Sequence, residues 1–587
     1  MTQTDAGLDR NRAFRVDQYG RGVAGHLAAA FAAAARSDRG CCIFLVILCL
    51  LAFLPGFFSI PPVDRPEARF AQISRQMVES GNLTEVRVGE EARHTRAFGL
   101  HWMQAAIVGT AEAIGVDGAA ETIWLYRLPS LIGGIAAVLL TFWAALPFVG
   151  RAAALLAAIF LAASTALGVG ARLALPDALF LAAVIAMMGA LGRAYLAAAH
   201  ETEAAPLAVD RRLALIFWGA FIGGIFVRGV MAPLYPVVAI AALIVVERSV
   251  RFLRPLAPLA GLAACVPLAA LWYYLRISPM EDPAAAALRG LVGRVAQARD
   301  GVGAPPGLYL ITFWGMFWPA APLAALATPI IWKARRLRSV RFLLAWVLPV
   351  WVLLEFWPAK LPAWSAPTFP AIAILIALAM ERGAMALSNM RLARLLWFWP
   401  LVGAAIAVGA LLGLAVFDRT TSFLAWPLLL AGFFALVTAA MSVRDYGIEK
   451  ASLLGIAGML VSGFGVMQMI LPEMGSVWIA PRLVELARQE SCPDGAPAEI
   501  ASAGYSEPSL MFLYPGRVRF MDGSGVADFL AEGGCRAAFV ERRQEPRFAR
   551  RAEALGLRIE RGEDVRGFSY NAGRRVRISL YRNAARP

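Results

Sequence analysis

Charge is scarce in this chain of 587 residues. Only 17% of them are charged, against roughly 25% in an ordinary soluble domain. Hydrophobic residues make up 59% and the mean hydropathy is +0.62. With repeated apolar stretches of spanning length, this excludes a soluble globular protein and implies a polytopic membrane protein. Cysteine is also sparse. Cys41, Cys42, Cys49 and Cys265 lie in or beside apolar segments, and only Cys492 and Cys535 lie in the hydrophilic tail. Their spacing leaves open whether those two form a disulfide or remain free buried thiols. CxxC and HExxH spacings are missing, so a structural zinc site has no support. The tail has Gly-rich turns but neither GxGxxG nor GxxxxGKS/T, and so carries no nucleotide-binding fingerprint. The arm before Cys41 lacks a signal-peptide layout, because its Ala-rich patch is short and a long apolar run follows directly. The first span therefore reads as an uncleaved anchor.

Candidate spans are 42–58, 127–149, 152–170, 175–197, 213–229, 231–247, 256–275, 308–331, 341–357, 364–381, 394–416, 424–441 and 451–471, about thirteen helices. The arm carries Arg10, Arg12, Arg15, Arg21, Arg36 and Arg39. With this arm cytoplasmic, the basic loops at Arg211/Arg212, Arg248/Arg251/Arg254, Lys333 to Arg338, Arg391/Arg394 and Arg444/Lys450 also fall inside, as the positive-inside rule requires. An odd number of spans then places the tail outside. The net charge of +15 is accounted for by loops facing anionic lipid, and nucleic acid is not an expected partner.

The expected organisation is an N-terminal arm (1–41), a transmembrane domain (42–471) with outer loops at 59–126 and 276–307, and an outer domain (472–587). Within the first loop, Ala68 to Val78 has near-helical apolar spacing that Gly81-Asn82 would end. Leu100 to Val116 reads as an interfacial helix. The second loop mixes helical alanines with Gly/Pro ends and suits a mobile cover. In the tail, strand-like runs at Ala498 to Ala503, Arg517 to Met521, Ala537 to Val540 and Val576 to Leu580 alternate with helical stretches near Ser509 and Val526 to Glu532, a small α/β domain.

The most informative stretch is Pro61 to Asn82, PPVDRPEARFAQISRQMVESGN, directly after the first apolar run. It brings Asp64, Arg65, Glu67 and Arg69 to a membrane surface. Such charges are costly unless they pair, bind an ion or meet a charged substrate, although an interfacial helix that snorkels its charges is the alternative. Applying the topology, Asp177 at the start of the fourth span, Arg228 between the fifth and sixth, and Lys360 before the tenth fall on the same outer side, as does the Arg96 to His101 stretch. Singly, Asp177 could be a helix cap and Arg228 or Lys360 a snorkelling flank. Together, acids and fixed cations describe a pocket for a phosphate beside an acid/base carboxylate. Asp64, Glu67, Glu90 and Glu91, with His94 and His101, could also contribute ligands to a divalent metal, but their spacing matches no defined motif.

The blocks DRPEARFAQISRQMVESGN, AFGLHWMQAA, LYRLPSLIGG, ARLALPDALFLAA, the VRGV turn, KLPAWSAPTFPA and GYSEPSLMFLYPG, in this order, resemble the C-type glycosyltransferases of the superfamily that includes aminoarabinose lipid A transferases and protein O-mannosyltransferases. The resemblance covers most of the chain. It implies a GT-C fold of about thirteen spans with a small outer α/β domain, a sugar donor carried on a polyprenyl phosphate, and an acceptor that is lipid A, another envelope glycan or a protein. The implied location is the bacterial inner membrane. Asp64, Glu67 and Asp177 are then the expected catalytic acids, and Arg69, Arg96, Arg228 and Lys360 the expected donor-phosphate ligands.

This chain departs from the family pattern at three points. Pro66 stands where the family commonly has an aspartate before Glu67, Arg96-Ala97 replaces a Lys-Pro pair, and Arg228-Gly229-Val230 replaces a Lys-Gly-Pro turn. Asp64 or Glu67 could serve as base if the loop shifts, and arginine still offers charge with a different geometry. A catalytically degenerate, lipid-binding or scaffolding member is the alternative that Pro66 favours. A transporter is less favoured, because the key charges fall at outer helix ends and no inverted repeat is evident.

Overall fold

The computed structural model describes residues 22–83, 87–88, 91–92, 98–198, 208–274, 304–357, 360–383, 393–490, 492 and 495–584. Arg96, Glu90 and His94 lie outside these residues, as does the second outer loop up to residue 303. Each of the thirteen apolar segments falls on helix. Among the described residues, seven helices are long and apolar enough to cross a membrane. They are Ile123–Ala145, Asp177–Ala197, Arg338–Phe356, Pro362–Glu381, Arg394–Phe417, Ala425–Val443 and Ile448–Glu473, and a bent pair brings the number to eight.

That bent pair covers 308–331, expected from the sequence as one span. It forms two helices, Leu308–Met316 and Ala321–Lys333, set at 119°. Pro319 in the break has no N–H to continue the ladder. The 152–170 segment is interrupted likewise: Arg151–Ala162 ends before Ser164, whose hydroxyl caps the short helix Thr165–Gly170. Close approach of helices explains the double glycine in LYRLPSLIGG. A Cβ at Gly133 would come within 2.8 Å of the Leu179 backbone nitrogen, and one at Gly134 within 2.8 Å of the Ala171 side chain. Small residues at these points let helix Ile123–Ala145 lie directly on the segment that carries Asp177.

Helix Pro66–Ser80 starts with proline at its first position, where the missing N–H costs nothing, and ends at Gly81, which takes the left-handed φ of 69°. This is the amphipathic helix expected from the apolar spacing. Helix Gly99–Ala113 packs against it through Ser74, whose hydroxyl lies 2.8 Å from His101 Nδ1 and donates to Gln104 Oε1 at 2.6 Å.

The C-terminal region is a five-stranded sheet ordered Val518–Met521, Glu499–Ala503, Arg536–Glu541, Arg574–Asn583, Ile559–Ser569. Its first three strands are parallel and the last two form an antiparallel hairpin. Four strands and two helices, Pro508–Leu513 and Gly523–Ala531, match the apolar runs read from the sequence. Strand Ile559–Ser569 does not, because it is an edge strand with mostly exposed charged residues and so shows no apolar alternation. A disulfide joins Cys492 to Cys535.

Candidate active site

Three of the blocks distant in sequence meet around Glu67. This carboxylate is fully buried, and its two oxygens accept four hydrogen bonds. Arg127 donates through Nε at 2.7 Å and Nη2 at 3.0 Å, and the N–H groups of Val63 and Ala174 each donate at 2.9 Å. Arg127, itself 1% exposed, also donates to the carbonyls of Phe57, Ile60 and Pro61. Every strong acceptor direction of Glu67 is therefore occupied. The pair staples three pieces together: the turn before helix Pro66–Ser80, the start of helix Ile123–Ala145, and the turn that leads into Asp177. Ser130 adds a bond to the Leu175 carbonyl at 2.8 Å. Arg127 was missed as a functional residue, although an arginine inside an apolar helix is a signal in itself.

Asp64 has the opposite environment. It is 9% exposed, and its Oδ1 makes no hydrogen bond. The hydroxyls of Tyr505 and Ser509, from the C-terminal GYSEPS segment, face it, yet each is also buried without a hydrogen-bond partner. The Asp64 backbone N–H donates to the Tyr570 hydroxyl at 2.6 Å. Burial raises the Asp64 carboxyl to about 7, reinforced by nearby Glu507 and opposed by Ser509, Arg65 and Tyr505. Burial also raises the hydroxyls of Tyr505 and Tyr570, keeping both neutral. A buried carboxylate that titrates near neutrality, beside hydroxyls whose bonding is incomplete, is the kind of group that accepts a proton from a bound hydroxyl.

The turn holding Asp64 is strained. Arg65 has φ 63° and ψ −73°, a left-handed conformation in a residue with a Cβ, immediately before Pro66. Such a backbone costs on the order of 1–3 kcal/mol and persists only when its surroundings impose it. The C-terminal domain contacts this turn and the helix after it. Glu507 lies 3.4 Å from Arg65 Nε, and Arg75 donates to the carbonyls of Phe512 and Tyr514 at 2.7 and 3.1 Å. The domain therefore packs against the turn that carries Asp64.

The remaining candidates divide. Asp177 and Arg228 are brought together, with Arg228 Nη2 3.2 Å from Asp177 Oδ1, though without a well-aligned hydrogen bond. Asp177 also lines an apolar cavity of about 540 Å³, with Thr165, Leu181, Thr312 and Pro362 among its walls. Lys360 is 1% exposed and donates to the Ala304 carbonyl at 2.7 Å, two residues before Pro362 of that cavity. Arg69 is half-buried on the helix that follows Asp64. Among the described residues, no three His, Cys, Asp or Glu side chains come together in a way that could hold a metal ion. His101 instead contacts Ser74 and stacks on Phe70 at 5.2 Å.

No protein-family model and no curated protein matches this chain. Among solved structures it is similar to ArnT from Cupriavidus metallidurans in the apo state, with a TM-score of 0.64 and 17% identity over 92% of this chain and 97% of that one. The same protein bound to undecaprenyl phosphate gives a TM-score of 0.67, with the same identity and coverage. The chain thus has the GT-C fold, a bundle of apolar helices with a small C-terminal sheet domain.

Proposed function

We propose that this chain is a membrane glycosyltransferase that moves a sugar from a polyprenyl-phosphate donor to an acceptor hydroxyl at the outer face of the inner membrane. The observation that carries the reading is the buried Asp64 carboxyl, raised to about 7 by burial, with its Oδ1 free of hydrogen bonds and hydroxyls of the C-terminal domain around it. The fold supports it, since the similar ArnT structure was solved with undecaprenyl phosphate bound.

Asp64 takes the proton of the acceptor hydroxyl, the acceptor oxygen bonds to the sugar's anomeric carbon, and the bond from that carbon to the phosphate oxygen breaks. The polyprenyl phosphate leaves with the charge. Lys360 and Arg228 meet that charge, helped by Arg69 and Arg96, while the apolar cavity beside Asp177 takes the first isoprene units. An ammonium has three donors, and the bond to Ala304 occupies one of those on Lys360. Asp177 keeps Arg228 oriented. Glu67 serves as the structural partner of Arg127, and Asp64 carries the role that Pro66 removes from the family position.

The topological reading is thirteen crossings with the N-terminal arm cytoplasmic and the sheet domain periplasmic. The Cys492–Cys535 disulfide is in keeping with an oxidising compartment. A lipid-linked donor suits that side, which has no access to nucleotide sugars. The acceptor is lipid A, another envelope glycan or a protein. Transfer of radiolabelled sugar from polyprenyl-phosphate sugars to envelope fractions tests the reading. Purified wild type should transfer, and Asp64→Asn should not.

A further inference from the structure

A second cavity, of about 810 Å³, opens between the C-terminal hairpin and the end of the apolar helix Arg394–Phe417. It shares no lining residue with the apolar cavity beside Asp177. Seven arginines line it, against the single acid Glu541. Two of them are neutralised: Arg574 by Glu541, through Nη2 at 2.8 Å, and Arg577 by Asp564, through Nε at 2.7 Å. Arg419, Arg542, Arg543, Arg566 and Arg575 form no ion pair among the described residues, where the pairs made by lining arginines are those of Arg574 and Arg577. Five guanidinium groups gathered around one cavity repel each other, and an anion relieves that repulsion. The planar guanidinium fork matches phosphate oxygens in particular.

The position of the cavity identifies the source of the phosphate. Val416 and Phe417 in its wall end one apolar helix, and the next, Ala425–Tyr446, is preceded by the exposed Phe423 and Leu424, with half-exposed Trp426 just inside it. Aromatic residues at apolar helix ends mark the headgroup level of a bilayer. The walls are fixed to each other there. Phe417 packs on Phe568 with ring centroids 4.6 Å apart, and the Phe568 N–H donates to the Ser476 carbonyl at 2.8 Å. Asp418 in turn accepts from the Ser476 N–H at 2.6 Å.

We propose that this cavity binds the headgroup of an anionic membrane lipid carrying two phosphates, a second lipid site separate from the donor site. A monoester or diester phosphate engages one or two arginines, so five unneutralised ones suit a headgroup with more than one. The same hairpin carries Tyr570, which meets the Asp64 backbone, so a bound headgroup braces the turn that carries Asp64.

The test uses the purified full chain in neutral detergent, with native mass spectrometry counting bound cardiolipin, phosphatidylglycerol and phosphatidylcholine, and inorganic pyrophosphate as the soluble competitor. Cardiolipin should bind best, phosphatidylglycerol more weakly and phosphatidylcholine not detectably. The triple variant Arg542→Gln, Arg543→Gln, Arg575→Gln should weaken cardiolipin on the order of 100-fold while still binding undecaprenyl phosphate. Should that variant fail to fold, the wild type decides: its cardiolipin affinity must fall steeply as salt is raised. Equal binding of cardiolipin and phosphatidylcholine, unchanged binding in the folded triple variant, or salt-independent binding overturns the proposal. So does pyrophosphate binding as tightly as cardiolipin, which would make this a site for a free anion. None of these readouts needs sugar transfer, so this inference and the transferase reading fail separately.

Discussion

Removing Arg127 should cost more stability than removing any exposed arginine of this chain. Its guanidinium is 1% exposed and makes two bonds to the fully buried Glu67 and three to main-chain carbonyls. Arg127→Met keeps the apolar stem but leaves a buried carboxylate with only two N–H donors and three carbonyls without partners. Breaking one side of a buried pair costs about 3–5 kcal/mol. Glu67→Met keeps the bulk but leaves the buried guanidinium without its carboxylate and the N–H groups of Val63 and Ala174 without an acceptor, a loss in the same direction. The double variant Arg127→Met, Glu67→Met removes both charges and should recover a large part of the loss, because no buried charge remains unpaired. Denaturant unfolding of the purified protein in detergent measures all four corners of the cycle. Two single variants each within about 0.5 kcal/mol of wild type, or a double variant as poor as the sum of the singles, would refute the staple role.

Other consequences follow from the same geometry. Because burial raises the Asp64 carboxyl to about 7, the transfer rate should rise with pH through that value, and an alkaline-side fall should belong to other groups. The folded state holds this proton more tightly than the unfolded chain, so stability should decline as pH rises from about 4 to 7, by up to about 4 kcal/mol. Asp64→Asn should flatten that slope, and an unchanged slope in the variant would assign it elsewhere. Lys360→Ala should lower donor turnover by about 10²–10³-fold while the protein stays folded in the membrane, and normal turnover would remove Lys360 from the site. Reducing the Cys492–Cys535 bond, which closes a loop of sequence separation 43, should destabilise the sheet domain by about 4 kcal/mol. Thermal unfolding with and without reductant checks this, with an unchanged midpoint as the contrary result.

The elements that were legible in the sequence are those governed by local pattern. Apolar runs fell on helix, Gly81-Asn82 stopped helix Pro66–Ser80, and the buried strands of the tail declared themselves through apolar runs. Strand Ile559–Ser569 did not, since its register is set by pairing with Arg574–Asn583 rather than by its own burial pattern. Of the candidate site charges read from the sequence, Asp177 and Arg228 proved to be neighbours. The difference in environment between Asp64 and Glu67 was not legible. The two carboxylates are three residues apart, and what separates them is contact with residues 60 and more than 400 positions away: Arg127 saturates one, and Tyr505, Ser509 and Tyr570 enclose the other. The left-handed turn at Arg65 before Pro66 was equally hidden, because its contacts come from residues of the C-terminal domain more than 400 positions away.

The most direct test of the account is sugar transfer by the purified protein from a pool of radiolabelled polyprenyl-phosphate sugars, comparing wild type, Asp64→Asn and the Glu67/Arg127 double methionine variant. The account predicts transfer by wild type, none by Asp64→Asn despite normal folding and donor binding, and residual transfer by the double variant in proportion to its folded fraction. Full transfer by Asp64→Asn would contradict it, as would a wild type that binds the donor and transfers nothing.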